Sequence, residues 1–185
     1  MGLDMYLSKK TYVKKWGHEK PEEAFNVTVQ KGGVTYPNIK SERISYITEE
    51  IMYWRKANQI HGWFVEHGNE VTEDVLYRLD FEQIKELYDT CKKALDILNT
   101  APKRTTQVVG GWKNGEEYKV DVEVYDNTDE IMELLPPVKG FFFGSYEIDD
   151  WYKSNLEETV KGLEEEINNQ ANEKWGAEYE YYASW

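Results

Sequence analysis

Arg55, Asn58 and His61 follow one another at intervals of three within Tyr53-Trp-Arg-Lys-Ala-Asn-Gln-Ile-His61. Together they offer the chemistry of recognising an anion or a planar polar ligand. Arginine presents a forked pair of donors to a carboxylate or phosphate. The asparagine amide both donates and accepts, and imidazole donates, accepts or carries a proton. Trp54 adds a stacking face and Trp63 a second indole. Phe143-Gly144-Ser145 is the other candidate, a turn ahead of a helix whose backbone N–H groups suit an anion. The neighbouring Asp149-Asp150 pair has the chemistry of a divalent-cation site or an acid–base pair, although helix capping explains Asp149 equally well.

These residues need elements to hold them. At helical spacing Ile44, Ile47, Ile51, Trp54, Asn58, His61 and Val65 share one stripe, which predicts a single long helix over 43–66, entered near Ser41. Gly62 is expected to bend or weaken it, and Gly68-Asn69 to end it. Asn58 and His61 then lie in an apolar seam, where an unpartnered polar group costs about 1–3 kcal/mol. Two arrangements satisfy them. Either they face a cavity that admits a ligand, or they bond to loop carbonyls while Arg55 pairs with Glu49, Glu50 or a carboxylate elsewhere. His67 near the helix end suits its negative pole. His61 and His67 point to different faces, which argues against a metal pair.

Around this stretch, Leu3, Met5 and Leu7 alternate with polar neighbours as a half-buried strand. Residues 14–23, with Trp16 and His18, read as a surface loop. Phe25, Val27 and Val29 followed by Gly32-Gly33, Val34 and Tyr36 read as a hairpin. Asp80 with Gln83 forms a capping-box pattern, opening a helix on Phe81, Ile84, Tyr88, Cys91, Leu95 and Leu98 that Pro102 closes. A hairpin insertion is expected over 105–127: Asn114-Gly115 is a type I′ turn signal, and Tyr118, Val120, Val122 and Val124 alternate with polar residues, leaving one wet face. A short helix from Asp129 to Leu135 stops at Pro136-Pro137. Phe141, Phe142 and Phe143 in a row imply burial on both sides or a cleft. The last helix, capped by Asp149, carries Tyr152, Leu156, Val160, Leu163, Ile167 and Ala171. The aromatic ending Glu178–Trp185 reads as a strand docked beside the first.

Composition narrows the function. The chain has 185 residues, enough for one domain with a sizeable core. A net charge of −13 opposes direct nucleic-acid binding, which needs cations to displace counterions. Clustered carboxylates can instead occupy a basic groove as a nucleic acid would. Seven Trp and fourteen Tyr favour interfaces and pockets for planar ligands. Cys91, the only cysteine, sits at core spacing and excludes an internal disulfide. No apolar run approaches the ~20 residues of a membrane span and no signal peptide is apparent, so the expectation is a soluble cytoplasmic protein. Walker, His-Glu-x-x-His, Gly-x-Ser-x-Gly and dinucleotide fingerprints are missing from the sequence.

Four blocks taken together, Gly2-Leu-Asp-Met-Tyr-Leu7, Tyr53-Trp-Arg-Lys-Ala-Asn-Gln-Ile-His61-Gly-Trp-Phe64, Gly140-Phe-Phe-Phe-Gly-Ser145 before Ile148-Asp-Asp-Trp-Tyr152, and Tyr-Ala-Ser-Trp185, resemble a family of small uncharacterised proteins encoded by bacteriophages and prophages. The resemblance runs from end to end apart from the 107–125 hairpin and brings no chemistry with it. It implies an accessory protein acting in the host cytoplasm.

The sequence therefore predicts one α+β domain, three principal helices on a small, mainly antiparallel sheet, with the hairpin projecting. The expected function is non-catalytic binding of a small anionic or planar ligand such as a nucleotide by Arg55, Asn58, His61, Trp54, Trp63, Phe143, Gly144 and Ser145, without a cofactor. The alternative is a host-directed protein that interacts through an acidic, aromatic surface. A metal-dependent hydrolase using Asp149 and Asp150 comes third. A homo-oligomer is compatible with the sequence.

Overall fold

The computed structural model describes every residue except 1, 16, 18, 19, 23, 73, 74, 141, 142 and 171–177. Trp16, His18, Phe141, Phe142 and Ala171 therefore lie outside the described residues. The order of elements is β1 (Asp4–Tyr12), β2 (Gln30–Lys31), β3 (Val34–Thr35), β4 (Tyr46–Arg55), α1 (Asn58–His67), β5 (Asn69–Thr72), β6 (Leu76–Leu79), α2 (Phe81–Thr100), β7 (Lys103–Lys113), β8 (Glu116–Tyr125), α3 (Asp129–Leu134), α4 (Asp150–Gln170) and β9 (Glu178–Ser184). The class is α+β, as expected. A five-stranded sheet runs β4-β1-β9-β6-β5 with every neighbouring pair antiparallel.

The sheet is built on alternation. Leu3, Met5 and Leu7 are fully buried, as are Tyr179, Tyr181 and Ala183 of β9, and they form one core with Ile60 and Phe64 of α1, Leu87 of α2 and Leu156 of α4. The terminal strand pairs with β1 from Asp4↔Ser184 to Lys10↔Glu178, so the aromatic ending is docked where its pattern predicted. Asp80 and Gln83 close the capping box of α2, and Cys91 is buried, its thiol pushed upward by desolvation.

The long helix over 43–66 is corrected. Only Ser41–Arg43 forms a short 3-10 turn; residues 46–55 are a strand along β1, and α1 starts at Asn58. Tyr46, Ile47, Thr48, Ile51, Tyr53 and Trp54 are the β-branched and aromatic types that suit a pleated surface. A bulge between Leu7 and Ser8 shifts the register opposite β4, so the apolar spacing along β4 departs from strict alternation and mimics a helical stripe. Lys56, at φ 58°, turns the chain from strand to helix, a left-handed conformation costly for a side chain with a Cβ. The hairpin near residue 30 is reduced to two-residue strands, with Phe25 and Val34 exposed: neither face of it meets the core.

Candidate functional site

The amide of Asn58 is buried and fully occupied. Its Nδ2 donates to the carbonyls of Phe143 at 3.1 Å and Ser145 at 2.7 Å, while its Oδ1 accepts from the N–H of Val138 at 3.1 Å. Of the two arrangements open from sequence, loop carbonyls hold this residue. Gly144, at φ 96°, lies directly against the Lys56 backbone, where a Cβ would stand 3.4 Å from the Lys56 carbonyl oxygen. The Phe143–Ser145 turn thus folds onto the strand-to-helix junction.

His61 is also enclosed. Its Nδ1 and the Tyr181 hydroxyl share a hydrogen bond of 2.7 Å, and burial raises the Tyr181 pKa well above its ordinary value, which keeps the hydroxyl protonated. The Phe143 ring packs edge-on to the imidazole at 5.1 Å and Trp185 at 5.7 Å. Neither Tyr181 nor Trp185 is visible from the spacing around His61, because both come from the far end of the chain.

The other expected site residues point elsewhere. Arg55 lies on the opposite face of the sheet, 4.0 Å from Asp4, which is the carboxylate pairing left open from sequence. Trp54 is buried and donates from Nε1 to Thr159 Oγ1 at 2.8 Å, and that hydroxyl donates to the Asn155 carbonyl at 2.6 Å. Trp63 is buried and stacks on His67 at 4.4 Å. Arg55 and the pair Asn58–His61 therefore do not converge. The cleft beside Asn58, between Lys56, Gln59, Ser145, Glu147 and Trp151, leaves no room for a sphere the size of a water molecule, whereas ordinary ligand pockets begin at ~300 Å³.

Asp149 and Asp150 have separate duties. Asp149 accepts from the N–H of Tyr152 at 2.9 Å as the cap of α4. Asp150 accepts from Lys103 Nζ and from the Tyr125 hydroxyl, each at 2.8 Å. Those two bonds hold its carboxyl below the usual range, and the same contact raises Lys103. Among the described residues, no three His, Cys, Asp or Glu side chains are grouped to hold a metal. Nor is any described helix long and apolar enough to cross a membrane.

Among the described residues, two surfaces group several exposed aromatic side chains, while Phe25, Tyr146, Trp151 and Trp185 are exposed elsewhere. The first is the hairpin β7–β8, whose turn at Asn114-Gly115 has φ of 56° and 85° as the type I′ signal predicts. It is tied to the body at its base, where Val124 and Tyr125 are buried and Tyr125 N–H donates to the Ile148 carbonyl at 2.8 Å. Further out it is solvated: Val109, Trp112 and Tyr118 are 52%, 69% and 45% exposed, with Glu116, Glu117, Asp121 and Glu123 beside them on β8. The second is the sheet face away from the helices. There Tyr53, Tyr6 and Tyr182 align across three strands with ring centroids 5.2 and 6.3 Å apart, and Leu76 continues the row opposite Tyr182. The alternation of β1 places Tyr6 on the wet face, but its neighbours become apparent only once the strand order is known. No known protein family, curated protein or solved structure matches the chain.

Proposed function

We propose that the chain is a protein-binding accessory factor that engages a host protein through the hairpin β7–β8. The single observation carrying this reading is the hairpin itself, an arm with Trp112 and Tyr118 in water and only its base joined to the core. Two-stranded ribbons of this kind are marginal alone, and Trp and Tyr are the residues that most often anchor interfaces. Glu116, Glu117, Asp121 and Glu123 on β8 are balanced by Lys119 and by Lys103, Arg104 and Lys113 of the hairpin, so the complementary partner offers an apolar cleft whose rim carries both signs. The resemblance to phage and prophage proteins supplies the setting, the cytoplasm of a bacterial host. Sequestration of a small ligand finds less support, because the amide and imidazole expected to contact it are bonded within the protein.

The test compares immobilised wild-type chain with a Trp112→Ala/Tyr118→Ala variant in bacterial extract. The expected result is a partner retained by the wild type, released as salt rises, and lost from a variant that still melts cooperatively. Equal retention by both chains overturns the proposal. So does a nucleotide from the extract that raises the melting temperature of both while no protein is retained.

A further inference from the structure

We infer that the open face of the five-stranded sheet is a self-association surface whose occupant is a second copy of this chain. It is separate from the hairpin, and the proposal about the hairpin does not depend on it.

The inference begins with charge. The chain carries −13 overall, yet this face is close to neutral. By register it presents Lys10, Arg55 and Arg78 against Asp4, Glu50, Glu178 and Glu180. Most of these groups are already joined to one another. Arg78 Nε lies 2.9 Å from Glu178 and 3.4 Å from Glu180, Lys10 is paired with Glu180, and Arg55 stands 4.0 Å from Asp4. Asp4 also accepts from the Tyr53 hydroxyl. A basic protein finds few free carboxylates here, and the surplus negative charge lies on other surfaces.

The same face is aromatic at its centre. The row Tyr53–Tyr6–Tyr182 ends on Leu76, and Tyr12 and Tyr46 meet edge-on at 5.2 Å three rows further along. Tyr46, Tyr53 and Tyr182 are 55%, 44% and 46% exposed. Aromatic rows whose neighbours are closed ion pairs can meet their own image across a two-fold axis: rings cover rings, and alternating signs let cation rows face carboxylate rows. For two strongly acidic chains, this face brings few like charges together.

Salt makes the inference testable. Repulsion between two acidic bodies is screened as ionic strength rises, while contacts between rings are not weakened. Sedimentation of the 185-residue chain from micromolar to sub-millimolar concentration should show a monomer–dimer equilibrium that tightens with added salt. Tyr182→Lys should raise the dissociation constant at least about tenfold, equivalent to ~1.4 kcal/mol, and abolish any rise of melting temperature with concentration. Tyr53→Lys should do the same if Tyr182→Lys proves poorly folded, whereas Trp112→Ala should leave the dimer intact. A chain that stays monomeric throughout overturns the inference. So does a dimer that salt dissolves, or one that both tyrosine variants leave unchanged.

Discussion

Asn58 and Ser145 are joined across the fold, the amide Nδ2 donating to the Ser145 carbonyl at 2.7 Å. With its bonds to Phe143 and Val138, the side chain clamps the segment before α4 onto the first turn of α1. Asn58→Ala leaves one N–H and two carbonyls without this partner and should destabilise the fold by about 2–4 kcal/mol. Asn58→Asp should not rescue it, because a carboxylate cannot donate to the two carbonyls. Urea unfolding measures both; a loss under about 0.5 kcal/mol for Asn58→Ala would show the clamp to be unimportant.

Gly62 lies within the continuous helix α1 and makes room beside it. A Cβ there would fall 2.3 Å from Val138 Cγ2, and valine is stiff about χ1. Alanine normally favours a helix over glycine by about 1 kcal/mol. Here Gly62→Ala should instead destabilise by about 1–3 kcal/mol through overpacking. A double variant that also carries Val138→Ala should lose much of that penalty in a mutant cycle. Gly62→Ala alone with unchanged or higher stability would contradict the close approach.

Beneath the sheet, Lys9 Nζ lies 3.0 Å from Glu166, which also accepts from the Tyr179 hydroxyl at 2.6 Å. Lys9 and Glu166 are both buried. Removing one member of a buried ion pair costs more than replacing both. Glu166→Leu should cost roughly 3 kcal/mol, and the Lys9→Met/Glu166→Leu double variant should be the more stable of the two. Chemical denaturation decides it, and the reverse order would mean that the pair does not behave as a unit.

Acid should loosen the base of the hairpin. The Asp150 carboxyl is held below its ordinary 3.8 by Lys103 and Tyr125. A depressed carboxylate stabilises the folded state above the unfolded pKa, and that contribution disappears as pH falls through the depressed value. Protection of the β7 and β8 amides, taken relative to their intrinsic exchange at each pH, should therefore fall as the pH drops below about 4. At neutral pH, Asp150→Asn should show the same loss of protection. A variant with wild-type protection in the hairpin would remove Asp150 from this role.

Local rules reached far in this chain. The capping box at Asp80–Gln83, the type I′ turn at Asn114-Gly115 and the cap at Asp149 are all formed, because each depends on residues a few positions apart. The alternation of Leu3, Met5 and Leu7 marked β1 for the same reason. The stretch 46–55 was harder. Its apolar spacing fits a helix when read alone, and pairing with β1 through a bulge decided for a strand. β5 and β6 escaped notice because their four-residue patterns are too short to carry a period.

The sequence by itself determined that this is an acidic, aromatic α+β chain; its helical stripe put Asn58 and His61 in a buried seam, yet put Ile47 and Val65, which are exposed, in the same seam. Which partners answer the amide and imidazole was decided only in three dimensions. Phe143, Ser145 and Val138 meet Asn58, and Tyr181 meets His61, across 80–120 positions of chain. Spacing along a chain reports periods of two or 3.6 residues; contacts over such distances are selected by the packing of the whole core.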